Sequence, residues 1–280
     1  MAHIDFWKVE GLGNNFVLLD ERDHSENAPG VALEKRIQWC RGDIGIGADG
    51  ILTLLPPTTV SGKNRALCSL HVTNADGSVP EMCGNGLRCV FRWLVEQKVL
   101  LDGEWAFVDT GAGLLRGRVV SDEIEIEMGE VEISSNECEV FVDDRSFRGL
   151  DVSVGNPHFV MLEENVELDM VSSFGPLLEY NSHFPNRANI EFSKVLDDEV
   201  KLVVWERGVG ITQACGTGAC ATIAAWVERG RLPAERFHNV SLPGGRLSVW
   251  IGLDDGKEHR RSVRMRGPAR VVFSGKSERA

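Results

Sequence analysis

The sequence predicts an α/β (α+β) protein of two pseudo-symmetric halves, each a mainly antiparallel sheet wrapped around a central helix. Three observations carry this expectation. Cys-Gly-X-Gly occurs twice, as Cys83-Gly84-Asn85-Gly86 and Cys215-Gly216-Thr217-Gly218, and an apolar helical stretch follows each copy. Other features recur in the same order. The two cysteines lie 132 positions apart, and at that offset Val95-Glu96 matches Val227-Glu228 while Asn74 falls opposite Glu206. Gly13-Asn14-Asn15-Phe16-Val17 echoes Gly155-Asn156-Pro157-His158-Phe159-Val160. Strand-like alternation is frequent throughout. Repeats this long indicate two similar domains, not a short-period solenoid.

Along the chain, strands are expected over 16–20, 51–55, 67–73, 123–128, 200–205, 246–253 and 262–266. The run Glu123-Ile124-Glu125-Ile126-Glu127-Met128 alternates charge and apolar groups, as a half-buried strand does. Leu242-Pro243-Gly244-Gly245 reads as the turn before one strand. Helices are expected over 32–40, 86–98 and 217–228, and over 168–180, where Gly175-Pro176 would break the helix or start a second. The helix after Cys83 places Leu87, Val90, Phe91, Leu94 and Val95 on one side and Arg88 and Arg92 on the other. The helix after Cys215 is apolar almost all round, which requires burial on every side.

A length of 280 residues suits two domains, each able to bury a core. The net charge of −12 argues against a nucleic-acid partner but not against a small anion held by one arginine and backbone donors. Glu163-Glu164 and Asp197-Asp198-Glu199 read as solvated segments. The N-terminal residues lack the apolar core of a targeting peptide, and no run approaches the roughly 20 apolar residues that span a bilayer. Seven cysteines, an odd number in a long chain, fit a reducing cytoplasm better than a disulfide scaffold.

Cys83 and Cys215 are the leading chemical candidates. A helix N-terminus can lower a thiol pKa from about 8.5 into the range of roughly 3.5–7.5. The glycines strip side chains from the first turn, so a carboxylate can approach the N–H groups of Gly84, Asn85, Gly216 and Thr217. Two such helix ends would stabilise charge developing at a carboxylate's Cα. A thiolate on one face and a thiol on the other would then invert a stereocentre. Competing cysteine chemistry fits less well. Cys83 to Cys89 and Cys215 to Cys220 have neither zinc-site spacing nor the Cys-X-X-Cys of an oxidoreductase, and a cysteine hydrolase needs one nucleophile. Cys40, Cys68, Cys89, Cys138 and Cys220 read as structural. His158, in a loop beside a repeated Gly-Asn, is a candidate base assisting one thiol. Glu206-Arg207, at a strand end opposite Asn74, are candidate ligands. Gly45-Ile46-Gly47 lacks the rest of a nucleotide loop, and no pyridoxal-phosphate lysine context is visible.

These motifs resemble those of diaminopimelate epimerases along nearly the whole chain. The resemblance rests on Gly11-Leu12-Gly13-Asn14, Gly45-Ile46-Gly47-Ala48-Asp49-Gly50, Asn74-Ala75-Asp76-Gly77-Ser78, Glu81-Met82-Cys83-Gly84-Asn85-Gly86 with Arg88-Cys89, and Thr110-Gly111-Ala112-Gly113. In the second half it rests on Gly155-Asn156-Pro157-His158, Arg187-Ala188-Asn189-Ile190, Glu206-Arg207-Gly208, Ala214-Cys215-Gly216-Thr217-Gly218-Ala219-Cys220 and Leu242-Pro243-Gly244-Gly245-Arg246. It implies an isomerase that interconverts LL- and meso-2,6-diaminopimelate for lysine and peptidoglycan synthesis, with no metal and no cofactor. It implies halves spanning 1–127 plus 268–280 and 128–267, with the active site between them. It implies Cys83 and Cys215 as acid/base thiols assisted by His158 and Glu206. Gly84, Asn85, Gly216 and Thr217 would hold the reacting carboxylate, and Asn14 and Glu206 would lie near the reacting ammonium. Asn74, Asn156, Asn189 and Arg207 would hold the distal end. The partner is this small molecule, with no nucleic acid and no membrane; a homodimer is allowed but not required. Four places depart from the family pattern: Asn15, Val79-Pro80, Trp205 and Ile211. The rival readings are a two-cysteine racemase of histidine, proline-type or broader substrates, and a non-catalytic amino-acid-binding protein on the same fold.

Overall fold

The computed structural model describes residues 3–23, 30–57, 65–80, 83–162, 168–197, 199–253, 256 and 259–278. Glu81 and Met82 of the first cysteine motif, with Glu163, Glu164 and Asp198, lie outside the described residues. The chain forms two compact units, Met1–Ile126 with Gly267–Ala280, and Glu127–Arg266.

The first unit contains β1 (His3–Gly11), β2 (Asn14–Asp20), α1 (Leu33–Cys40), β3 (Gly50–Leu55), β4 (Ala66–Asn74), α2 (Gly84–Glu96), β5 (Ala106–Thr110) and β6 (Gly113–Val120). β7 (Glu123–Ile133) begins in this unit and runs into the second. The second unit continues with β8 (Cys138–Val142), β9 (Arg145–Ser153), β10 (Pro157–Met161), α3 (Leu168–Glu179), β11 (Asn189–Val195), β12 (Glu199–Glu206), β13 (Gly210–Ile211), α4 (Gly216–Glu228), β14 (Phe237–Leu242), β15 (Gly245–Ile251) and β16 (Arg260–Pro268). The last strand, β17 (Arg270–Glu278), returns to the first unit and pairs antiparallel with β1.

The duplication is explicit in the strand pairings. In the first unit β1–β2 is antiparallel, β2–β3 parallel, β3–β4 antiparallel, β4–β5 parallel and β5–β6 antiparallel. In the second the same series runs β9–β10, β10–β11, β11–β12, β12–β14 and β14–β15. Helices fall at equivalent points. α1 and α3 lie between the strands of the first parallel pair, and α2 and α4 lie between those of the second. Asn74 and Glu206 are each the last residue of their equivalent strands.

The two cysteine helices also end alike. Each has 13 residues. Each stops two residues before a left-handed residue, Lys98 (φ 58°) and Gly230 (φ 66°). α4 is buried from Gly216 to Val227, as an all-apolar helix requires. α2 differs from the two-sided expectation: Arg88 is fully buried. Its guanidinium donates to Asn85 Oδ1 (2.9 Å) and Pro268 O (3.3 Å), which supply acceptors inside the unit. Arg92 likewise donates to Ala269 O, so both arginines hold the segment that leads into β17. Glu125 also departs from the half-exposed expectation. It is fully buried because Arg118 lies 2.9 Å away and neutralises it.

The break expected at Gly175-Pro176 does not occur, and α3 is continuous through Pro176. Proline removes one helical donor. Phe174 and Trp205 pack on the cluster formed by Val140, Phe147, Phe159, Ile190 and Phe192, which fixes the helix on the sheet. Gly175 is needed for that contact, because a Cβ there would sit 2.6 Å from Trp205 Cγ. Among the described residues no helix is long and apolar enough to cross a membrane. Gly175→Ala is expected to lower stability by about 1–3 kcal/mol through overpacking, read as a lower urea midpoint with unchanged slope.

Candidate active site

In the first unit Cys83 is the N-cap of α2, with extended backbone (φ −139°, ψ 90°). Its Sγ accepts the Gly86 N–H at 3.3 Å, which makes the thiol part of the helix cap. Gly86 cannot carry a side chain: a Cβ would lie 2.8 Å from Leu52 and 3.0 Å from Sγ. Asn85, in the same turn, is buried. Its Nδ2 donates to Asn14 Oδ1 at 3.1 Å, and its Oδ1 accepts from Arg88. The structure therefore joins Cys83, Gly84, Asn85 and Asn14 in one cluster.

Asp49 stands behind Asn14. Its Oδ2 accepts from Asn14 Nδ2 (3.0 Å), the Asn15 N–H (2.8 Å) and Asn15 Nδ2 (2.8 Å). Its backbone carbonyl accepts from Ala75 N–H, next to Asn74. Lys8 donates to Asn15 Oδ1 and Gly47 O. Burial lowers the Lys8 pKa, while Asp49 and Cys40 act to raise it. The motif rejected as a nucleotide loop is thus a support for Asn14. Asn74 is one strand away, with its side chain donating to Ser78 Oγ.

In the second unit Cys215 caps α4 in the same way, with φ −120°, ψ 108° and Sγ accepting the Gly218 N–H at 3.3 Å. Thr217 Oγ1 lies 3.6 Å from Sγ. His158 is buried, with Nδ1 2.6 Å from Glu191 Oε1 and Nε2 2.9 Å from Asn156 Oδ1. Asn156 Nδ2 donates to Thr217 Oγ1 at 3.4 Å, which completes a path to Cys215. Glu206 accepts from Thr212 Oγ1, and its charge acts on the Cys215 thiol. Burial raises the Glu206 pKa, while Thr212, His158 and Cys215 oppose the rise.

The expectation of a depressed thiol pKa fails at Cys215. Its pKa stands well above the ordinary value, first through burial and then through the charges of Glu206 and Glu191. The Thr217 and Gly218 hydrogen bonds act downward but are outweighed. Elsewhere burial also pushes Cys68 up to about 12 and Cys138 up to about 11, and it raises Cys89 and Cys40.

Asn189 is buried and used at both ends. Its Nδ2 donates to Pro157 O (2.9 Å), and its Oδ1 accepts the Arg207 N–H (3.0 Å). It ties the Arg207 backbone to the strand that carries His158. The Arg207 guanidinium donates to Asn186 O at 3.4 Å. Glu179 fixes the next residue by accepting the Gly208 N–H (2.8 Å), and it also accepts from Trp205 Nε1 (2.8 Å). Four site residues escaped the sequence reading: Glu191, Asp49, Arg88 and Thr212. The signal for Glu191 was a charge inside the apolar run Ile190-Glu191-Phe192. Asp49 and Arg88 stood within quoted motifs without a role.

The chain matches the family profile "Diaminopimelate epimerase" over residues 6–134 and 151–272. It is 38% identical to the diaminopimelate epimerase of Gloeothece citriformis, covering 97% of this chain and 98% of that one. It is 39% identical to that of Synechococcus elongatus, covering 99% of each. In structure it resembles a hydroxyproline epimerase from Agrobacterium vitis, with TM-score 0.74, 15% identity, and 98% and 92% of the two chains covered. It also resembles a phenazine biosynthesis protein of the PhzF family from Bacillus anthracis, with TM-score 0.70, 15% identity, and 99% and 100% covered. Those two likenesses concern the fold, and the sequence relationship carries the assignment: the chain belongs to the diaminopimelate epimerase family.

Proposed function

We propose that this chain interconverts LL- and meso-2,6-diaminopimelate, with Cys83 and Cys215 as the two acid/base groups acting on one Cα. The observation that supports the two-thiol reading is that both cysteines cap equivalent helices whose first turns are stripped by glycine. One thiolate takes the Cα proton and becomes a thiol. The electron pair left on Cα delocalises into the carboxylate, which the first-turn N–H groups of Gly84, Asn85, Gly216 and Thr217 stabilise. The other thiol gives its proton to the opposite face and becomes a thiolate. The stereocentre is inverted, and the two sulfurs have exchanged protonation states.

Burial and the charges of Glu206 and Glu191 raise the Cys215 pKa and so favour its S–H form. Glu206 acts on this thiol through its charge and has a raised pKa of its own, and we take it as the group that assists proton removal from the thiol when the reaction runs the other way. Asn14 offers its carboxamide beside the Cys83 turn, where an ammonium needs an acceptor. Arg207 grips the distal carboxylate, with Asn74 and Asn156 contributing amides. Asn189 acts by fixing the Arg207 backbone. This work belongs to lysine and peptidoglycan synthesis. The cytoplasm is the compartment we assign, in keeping with seven cysteines of which none is in a disulfide.

The test is epimerisation of LL-diaminopimelate in deuterium oxide, followed by chiral analysis and mass spectrometry. The expected result is deuterium at Cα with no loss after dialysis against a chelator. Histidine or proline turned over in place of diaminopimelate would move the assignment to a different racemase, and no Cα exchange would reduce the chain to a binding protein.

Cys83→Ala and Cys215→Ala should each lower epimerisation by several orders of magnitude, because one face loses its acid or base. Substrate affinity should change far less, since the backbone donors remain. Either variant keeping more than roughly a tenth of the activity would remove that cysteine from the mechanism. Alkylation of Cys215 by iodoacetamide in Cys83→Ala should keep accelerating as pH rises beyond the unperturbed thiol value of 9.0 instead of levelling off there. A thiolate reactive at pH 7 would contradict the raised pKa.

Arg207→Met removes a planar, two-pronged carboxylate grip. The expected loss is about 2–3 kcal/mol of transition-state binding, or roughly 30- to 150-fold in kcat/KM. Near-normal kinetics with diaminopimelate would show that the guanidinium serves only the surface of its loop.

A further inference from the structure

Glu191 has no place in the sequence reading, yet its carboxyl is fully buried beneath the Cys215 turn. It sits on β11, paired with Val160 of β10 and Val204 of β12. The titratable groups that face it are His158 on β10, Glu206 on β12 and Cys215 at the head of α4. Its Oε1 lies 2.6 Å from His158 Nδ1, and its Oε2 is buried with no hydrogen-bond partner among the described residues. A Cβ on Gly218 would lie 3.1 Å from both Glu191 Oε1 and Cys215 Sγ, so the carboxyl and the thiol flank the same bare residue.

We propose that Glu191 is a positioning residue for the epimerisation, sharing one proton with His158 so that the pair is neutral and the imidazole keeps its Nε2 proton toward Asn156. The geometry supports each part. In the observed arrangement Asn156 presents Oδ1 to His158 Nε2 and Nδ2 to Thr217 Oγ1. An Oδ1 acceptor requires Nε2 to carry hydrogen. Thr217 accepts from Asn156, which leaves its own O–H free to donate to Cys215 Sγ at 3.6 Å. The remaining proton lies between Nδ1 and Oε1. A fully charged Glu191 would leave Oε2 ionised, dry and without a donor, which is costly. A shared proton removes most of that charge, in keeping with the upward pKa shift that burial gives Glu191.

The consequence reaches Cys215. A neutral Glu191–His158 pair keeps a second negative charge away from a thiol already beside Glu206. When the pair loses its proton at higher pH, that charge appears and holds Cys215 as S–H. The proton on the pair is therefore what allows Cys215 to become a thiolate.

This inference rests on the two-thiol reading, and the experiment separates the two. Glu191→Gln keeps a hydrogen bond to Nδ1 but cannot become charged. Glu191→Leu keeps volume and removes the hydrogen bond. In Cys83→Ala, which needs no turnover, the pH dependence of Cys215 alkylation is followed by peptide mapping. Adding Glu191→Gln should move its midpoint down by about half a unit or more, because the anion next to the thiol is gone. In the otherwise native enzyme, Glu191→Gln should keep kcat within about fivefold and shift the alkaline limb upward. Glu191→Leu should lose about 30-fold or more in kcat, with KM for diaminopimelate within about threefold. Imidazole nitrogen resonances should show Nε2–H in native protein and in Glu191→Gln. An unshifted alkylation midpoint, a native imidazole lacking Nε2–H, or a Glu191→Leu enzyme with nearly native kcat would each overturn the proposal. The expected downward shift of the alkylation midpoint together with no Cα exchange in the native enzyme would instead overturn the two-thiol reading while leaving the coupling of Glu191 to Cys215 standing.

Discussion

Each half of this protein depends on a cysteine used as a helix cap. A sulfur that accepts the N–H of the residue three positions on fixes where the helix begins, and so fixes which backbone donors remain open. The glycines follow from that single constraint. Side chains at Gly86 and Gly218 would collide with the capping sulfur or with the strand behind it. A group that closes the cap is held within reach of the helix dipole, and it is the same group to which we assign the chemistry. Stability of the turn and readiness of the thiol are thus one arrangement, which explains why Cys-Gly-X-Gly is the feature that survives in both copies.

The duplication is faithful in backbone and unfaithful in chemistry. Strand pairings, helix positions and helix ends repeat, yet the groups around the two sulfurs differ. Cys83 is neighboured by carboxamides: Asn85 caps onto Asn14, and Asn14 leans on Asp49. Cys215 is neighboured by Glu206, Glu191 and His158. A two-base reaction needs one sulfur protonated and one not. Identical surroundings would give identical pKa values and a poor division of labour. In the second copy burial, and then Glu206 and Glu191, raise the Cys215 thiol.

The fold and the two cysteine-capped helices were legible in the sequence because they depend on local signals. A doubled motif, an all-apolar helix after Cys215 and equivalent strand ends at Asn74 and Glu206 are visible without coordinates. What escaped was set by partners distant in the chain. Arg88 looked like a solvent-facing residue, since helical spacing cannot reveal that Pro268 supplies an acceptor. Glu125 looked half-exposed until Arg118 was found beside it. Pro176 looked like a helix breaker, but packing against Trp205 outweighs the loss of one hydrogen bond. The depressed thiol pKa expected from the helix end was reversed at Cys215 by burial and by a carboxylate 24 residues away in sequence.

Two of the departures from the family pattern, Asn15 and Trp205, support the surroundings of Asn14 and Arg207. Asn15 contributes two of the three donors on Asp49 and also receives Lys8, so an amide here lets one carboxylate serve both asparagines while the lysine is still paired. Trp205 lies over Gly175 and donates to Glu179, and Glu179 in turn accepts from Gly208 and Arg187. The Trp205 indole therefore reaches the carboxylate that fixes the turn after Arg207. Val79 and Ile211 are exposed. Substitution at such positions changes what holds Asn14 and Arg207, not which atoms they present. The orientation of Arg207 must therefore be traced to Glu179 and Asn189 as much as to its own strand.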